Sequence, residues 1–175
     1  MTMDVRIQTH PFDAAQLAGE LQRRTAGQAG AIVHFLGMVR DYSPDQASRS
    51  LYLEHYPGMC EREIRQLCQQ AHARWDILDS LVVHRVGELP LTEPIVFVGV
   101  ASRHRGMAFR ACEFLIDALK TRAPFWKRET LDDGRAFWVA QRQSDAEKTA
   151  QWGLEPIHHG ALGTANNDAE NDEPA

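Results

Sequence analysis

The 175-residue chain predicts an α+β fold, a single domain with mixed or antiparallel sheet. Two observations carry this. Strand-like segments do not alternate strictly with helical ones, and several short strands are separated by turns rather than by helices. A hydrophobic fraction of 43% over this length suits one sizeable core.

In chain order, Val5 to Thr9 reads as a strand and Asp13 to Arg24 as a helix, with Asp13 as N-cap. Ala31 to Val39 is apolar and partly β-branched, and Ser50 to Tyr56 alternates; the polar stretch Asp41 to Arg49 forms the turn between them. Pro57-Gly58 ends that strand. Met59 to Trp75 then carries Ile64, Leu67, Cys68 and Ala71 at helical spacing. Ile77 to Val86 and Pro94 to Ser102 are candidates for the sheet centre, joined across a turn and loop at Gly87 to Pro90. Arg105 to Arg122 is helical, and Pro124 forces Ala123 out of helical geometry, so the helix stops beside Lys120. Asp132-Asp133-Gly134 makes a hairpin turn between Lys127 to Leu131 and Arg135 to Ala140. Ser144 is read as the cap of a last short helix ending near Trp152.

These elements place the domain at residues 1–152. The remainder, 153–175, has little to bury and is rich in Gly, Asn, Asp and Pro, so it reads as a disordered tail. The tail holds five acids and no Lys or Arg, which leaves the body neutral with 19 bases and 19 acids. His158-His159 reads as a solvated pair. Within the body, Arg103 to Arg128 carries seven bases against Glu113 and Asp117. That local cationic region suits a small anion better than nucleic acid, which calls for a broad basic face.

Cys60, Cys68 and Cys112 are odd in number and form no CxxC pair, so they read as reduced, half-buried packing thiols, with neither a disulfide framework nor a zinc site. His34, His55 and His84 fall on strands at a spacing that matches no metal signature. The longest apolar run, Ile95 to Ala101, is far short of the roughly 20 residues that span a bilayer. Met1 to Gln8 lacks a secretory signal, so the expected location is cytoplasmic.

The segment Leu119 to Glu129, LKTRAPFWKRE, sets two lysines seven apart around a proline and two aromatics. An apolar wall weakens a lysine's hold on its proton, and a second cation nearby acts the same way. Residues alone leave open a second reading, a helix C-terminus with dipole-complementing cations and a core tryptophan.

That segment, with LEHYPGM (Leu53 to Met59), HRVGEL (His84 to Leu89) and IVFVGVASRHR (Ile95 to Arg105), resembles the large, catalytic subunit of molybdopterin synthase, in the family's order and spacing. The resemblance runs to Trp152, so the tail is a departure to which no function carries over. It implies an α/β-hammerhead-like fold and a reaction without metal or redox cofactor. A small ubiquitin-like sulfur carrier ending in a Gly-Gly thiocarboxylate delivers two sulfurs to cyclic pyranopterin monophosphate, making the molybdopterin dithiolene. It also implies a homodimer carrying one small partner at each end.

By that resemblance Lys120 and Lys127 are catalytic, Lys120 stabilising a tetrahedral intermediate or moving a proton and Lys127 orienting substrate. Arg40, His104 and Arg105 hold the phosphate and pterin; Arg128 and Glu129 complete the motif. Met38 and Val39 precede Arg40, and a ligand contact at Met38 is expected through backbone. The other class open to the sequence is a noncatalytic module that binds phosphate or nucleic acid, or docks a partner.

Overall fold

Among the residues that the computed structural model describes, 2–40, 48–140 and 142–155, the chain forms eight strands and four helices. These are β1 (Thr2–Gln8), α1 (Ala14–Arg24), β2 (Ala31–Met38), β3 (Ser48–His55), α2 (Met59–Arg74) and β4 (Ile77–Arg85). The chain continues through β5 (Gly87–Pro90), β6 (Pro94–Ser102), α3 (Arg105–Arg122), β7 (Phe125–Leu131), β8 (Ala136–Val139) and α4 (Gln143–Gln151). The expected α+β class holds. Most of the Asp41 to Arg49 turn and of the 153–175 tail, with His158-His159, lies outside the described residues.

The first sheet has the order β1-β4-β6-β2, with β1 parallel to β4 and the other pairs antiparallel. The two strands expected at its centre are there. Successive side chains of β4 and β6 point to opposite faces, and both faces are covered. Val82, Val98 and Val100 pack with Ile64 and Leu67 of α2 and Phe114 and Leu115 of α3. Leu81, Val83 and Phe97 pack on the other side with Leu17 and Leu21 of α1. Each such fully buried side chain stabilises the fold by about 1.5–3 kcal/mol. Helix α1 starts as expected: Asp13 Oδ1 accepts from the Ala15 and Gln16 amides at 2.8 and 3.3 Å.

The second sheet, β5-β3-β7-β8, is antiparallel throughout. Its first strand corrects the expected loop at Gly87 to Pro90. Gly87 adopts φ 84°, which turns the chain out of the first sheet. Leu89 can then bury completely with Leu51, Leu53, Val86 and Val39 in a core between the sheets, while its neighbours pair with β3. A four-residue segment with one apolar anchor has no periodicity to read; only its partner strand makes it a strand.

The chain leaves α3 where Pro124 dictates. Ala123 is extended at φ −79°, ψ 124°, and β7 begins at the next aromatic, Phe125. Helix α4 departs from expectation at its start: Arg142 is the N-cap residue, no side chain caps it, and Ser144 lies inside the first turn. Its far end is docked by Trp152, whose ring packs against Trp75 and Phe114. Packing does not stop at Trp152, since Leu154 lies against the main core and the Glu155 carbonyl accepts from Arg122 Nη1 at 2.9 Å. All three cysteines are fully buried, and burial raises each thiol pKa.

Candidate functional site

The Pro124 break ends α3 between the two lysines of LKTRAPFWKRE and starts β7 before the second. Lys120 is exposed in the last turn of α3. Lys127 is half-buried in β7, paired with Leu53 of β3 and Val139 of β8. Its pKa is pushed down to about 8, first by burial and then by the charge of Lys120; Arg142 acts in the same direction and Asp145 opposes. The charge of Lys120 thus reaches Lys127 across the break.

Residues of β7 alternate in direction. Phe125, Lys127 and Glu129 share one face; Trp126 and Arg128 share the other. Phe125 stacks on the His84 ring with centroids 4.1 Å apart, so of the two aromatics flanking the lysine it is Phe125, and not Trp126, that shares its face. Glu129 is 3% exposed, a buried carboxylate on the lysine's face. Arg128 is not brought to that face: its guanidinium lies 4.9 Å above the Tyr52 ring and 5.9 Å from that of Trp138.

Met38, Val39 and Arg40 stand at the end of β2 that pairs with Pro94. Val39 is core. It is 2% exposed, its N–H donates to Glu93 O at 2.9 Å, and its own carbonyl accepts from Thr92 N at 2.8 Å, so both its backbone groups are already engaged. Phe125 packs against the same cluster, which sets the exposed Arg40 near the β7 end of the molecule. Met38 is 45% exposed.

His104 and Arg105 lie elsewhere. His104 is the N-cap residue of α3 and Arg105 its first residue, both exposed, beside a shallow depression lined by Gly30 and by residues 103–106. Gly30 is required there: a Cβ would sit 2.3 Å from the Arg103 carbonyl oxygen. The free amides and dipole of an 18-residue helix make this end attractive to an anion. Lys120 is fifteen residues further along the same helix, roughly 22 Å away at about 1.5 Å per residue. One chain thus presents two cationic stations rather than one pocket.

Sequence reasoning missed Arg142 and Asp145, whose charges reach Lys127 from the start of α4. No motif marks them. His84 and His55 also belong to the surroundings of the lysine pair, where sequence spacing showed only strand histidines. Among the described residues no group of three or more His, Cys, Asp or Glu is placed to hold a metal ion, and no helix is long and apolar enough to cross a membrane.

Fold and site together define a two-sheet α+β protein with a lysine pair at the helix-to-strand break and an anion-attracting helix start. The family model described as MoaE protein matches residues 7–122, and the chain belongs to that family. It is 45% identical over 152 residues to the molybdopterin synthase catalytic subunit of Ralstonia nicotianae, covering 86% of this chain and 84% of that one. It is 44% identical over 150 residues to the protein of that name from Pseudomonas aeruginosa, covering 86% and 99%. A molybdopterin biosynthesis MoaE protein from Burkholderia ambifaria has the same fold, with a TM-score of 0.74, 42% identity, and coverage of 87% of this chain and 99% of that one. A molybdopterin synthase structure from Staphylococcus aureus gives a TM-score of 0.70 at 29% identity, covering 77% and 96%.

Proposed function

We propose that this chain is the catalytic subunit of a molybdopterin synthase, moving two sulfurs from the C-terminal thiocarboxylate of a small ubiquitin-like carrier to cyclic pyranopterin monophosphate. The observation that carries this reading is Lys127, a half-buried amine with a pKa near 8 beside a second, exposed lysine. Such an amine is poised to give or take a proton close to neutral pH, which replacement of oxygen by sulfur at carbon requires. Lys120 supplies charge to a tetrahedral intermediate, as an oxyanion-hole donor does. Burial equips Lys127 for proton transfer, a role that the resemblance alone placed on Lys120.

Arg40, His104 and Arg105 hold the phosphate and pterin. Since α3 separates its two ends by roughly 22 Å, cations from both ends reach one small substrate only if a second copy contributes its helix start, which supports a homodimer with one carrier at each end. Relatives carry the name molybdopterin synthase catalytic subunit at 40–46% identity, which supports the same reaction here. We place the enzyme in the cytoplasm, where thiols such as its three cysteines stay reduced. Incubation with thiocarboxylated carrier and cyclic pyranopterin monophosphate tests the proposal directly: dithiolene product is expected. A chain that binds the carrier but yields no dithiolene is a docking module.

A further inference from the structure

His84 is buried in β4, between Ile7 of β1 and Val96 of β6 in the first sheet. Its ring meets Phe125 of the second sheet nearly face to face, 4.1 Å between centroids and 18° between planes. Its Nδ1 lies 2.8 Å from the carbonyl oxygen of Arg85. A carbonyl oxygen only accepts, so Nδ1 carries the proton, and the neutral form of the ring is the Nδ1–H tautomer. Phe125 is two residues from Lys127 on the same face of β7, so the stack ties the wall of the lysine site to the centre of the other sheet.

We propose that His84 is the positioning residue of the lysine pair, a neutral imidazole that clamps Phe125 as the wall beside Lys127 and keeps a third positive charge out of that pocket. The charges around it come from every side: Lys127 of β7, Lys120 of α3 and His55 of β3. On its own strand Arg85 is occupied by Glu93, with Nη1 2.6 Å from Oε2, and at the start of α4 Arg142 and Asp145 act on Lys127. Burial, with the two lysines acting in the same direction, pushes the His84 pKa down to about 4, so the ring stays neutral wherever Lys127 titrates. The functional meaning rests on the sulfur-transfer reading, but the clamp does not.

The chain has three lysines, Lys120, Lys127 and Lys148, so reductive methylation with 13C-formaldehyde yields three lysine dimethylamine signals beside that of the N-terminal amine, and single Lys→Arg variants assign them. In the otherwise unaltered chain the Lys127 signal should titrate well below the ordinary lysine range. His84→Asn keeps an N–H for the Arg85 carbonyl but removes the ring; it should return Lys127 toward that range by about one unit or more as water enters. His84→Phe keeps the stack, and Lys127 should stay low. An unmoved Lys127 in His84→Asn, or an equal rise in His84→Phe, overturns the proposal. The chain with His84 intact gives a second readout even if His84→Asn does not fold. Imidazole 15N shifts should report one Nδ1–H tautomer from about pH 5 to about pH 9, and an imidazolium at about pH 6 overturns the clamp. Because neither readout uses sulfur transfer, a failed dithiolene assay would reject the enzymatic reading and leave this one standing.

Discussion

The indole Nε1 of Trp152 donates to Asp117 Oδ2 at 2.9 Å, tying the end of α4 to α3 one turn before Lys120. Arg74 Nη1 donates to the Trp152 carbonyl at 2.8 Å, and Thr121 and Thr149 join the same two helices through their hydroxyls at 2.7 Å. The helix that brings Arg142 and Asp145 toward Lys127 is therefore held from its far end.

Trp152→Phe should keep the ring packing yet lose about 1–2 kcal/mol, because the Asp117 carboxylate loses its donor. Thermal melting checks this. Ending the chain after Glu155 should leave melting and turnover unchanged, whereas ending it after Trp152 should lower the melting temperature by removing the packed Leu154 and the acceptor for Arg122. Equal melting of the two truncations would show that these contacts stabilise nothing.

Lys120→Ala and Lys127→Ala should each lower sulfur transfer by roughly 10²–10³-fold, the size of a lost transition-state donor, while carrier binding survives. Lys127→Met should also raise the melting temperature at neutral pH, since it removes a charged amine that burial desolvates. Single-turnover rates and melting curves on one protein preparation read both effects. Near-normal turnover in either alanine variant would remove that lysine from the mechanism.

Stability should rise with pH across two windows. The buried His84 titrates near 4 against an ordinary 6.5, so between those values the unfolded chain binds a proton that the native chain does not, and stability falls as pH drops through them. Lys127 titrates near 8 against an ordinary 10.5, so stability rises from 8 to 10.5. Each contribution is on the order of 3 kcal/mol at most. Denaturant unfolding of the wild-type chain against His84→Phe isolates the acid window, which the variant should lack.

Arg105→Ala should weaken pterin binding and leave carrier binding intact, as the helix-start station implies. Gly30→Ala is the matched structural test. Its Cβ would displace the Arg103 carbonyl, so both stability, by about 1–3 kcal/mol, and phosphate affinity should fall. Calorimetric titration with the substrate measures both variants.

Much of this molecule was legible as sequence. Apolar strand-like runs marked β4 and β6 and helical spacing marked α3, because a strand buried on both faces is apolar along its length and a helix buried on one stripe carries that stripe's period. Asp13 announced the start of α1 and Pro124 the end of α3, since a capping carboxylate and a missing N–H act within a few residues. The two lysines stood out as a motif for the same reason, the Pro124 break lying between them in the chain.

Tertiary structure decided what depends on partners far apart in sequence. Strand β5 exists because Gly87 turns it onto β3, and Val39 is core because the junction of two sheets closes over it. Arg128 faces away from Lys127 because β7 alternates, and α3 keeps His104 and Arg105 a helix length from Lys120. Burial lowers the proton affinity of Lys127, a desolvation that a list of residues does not contain and that only the packing of β7 in the folded chain creates.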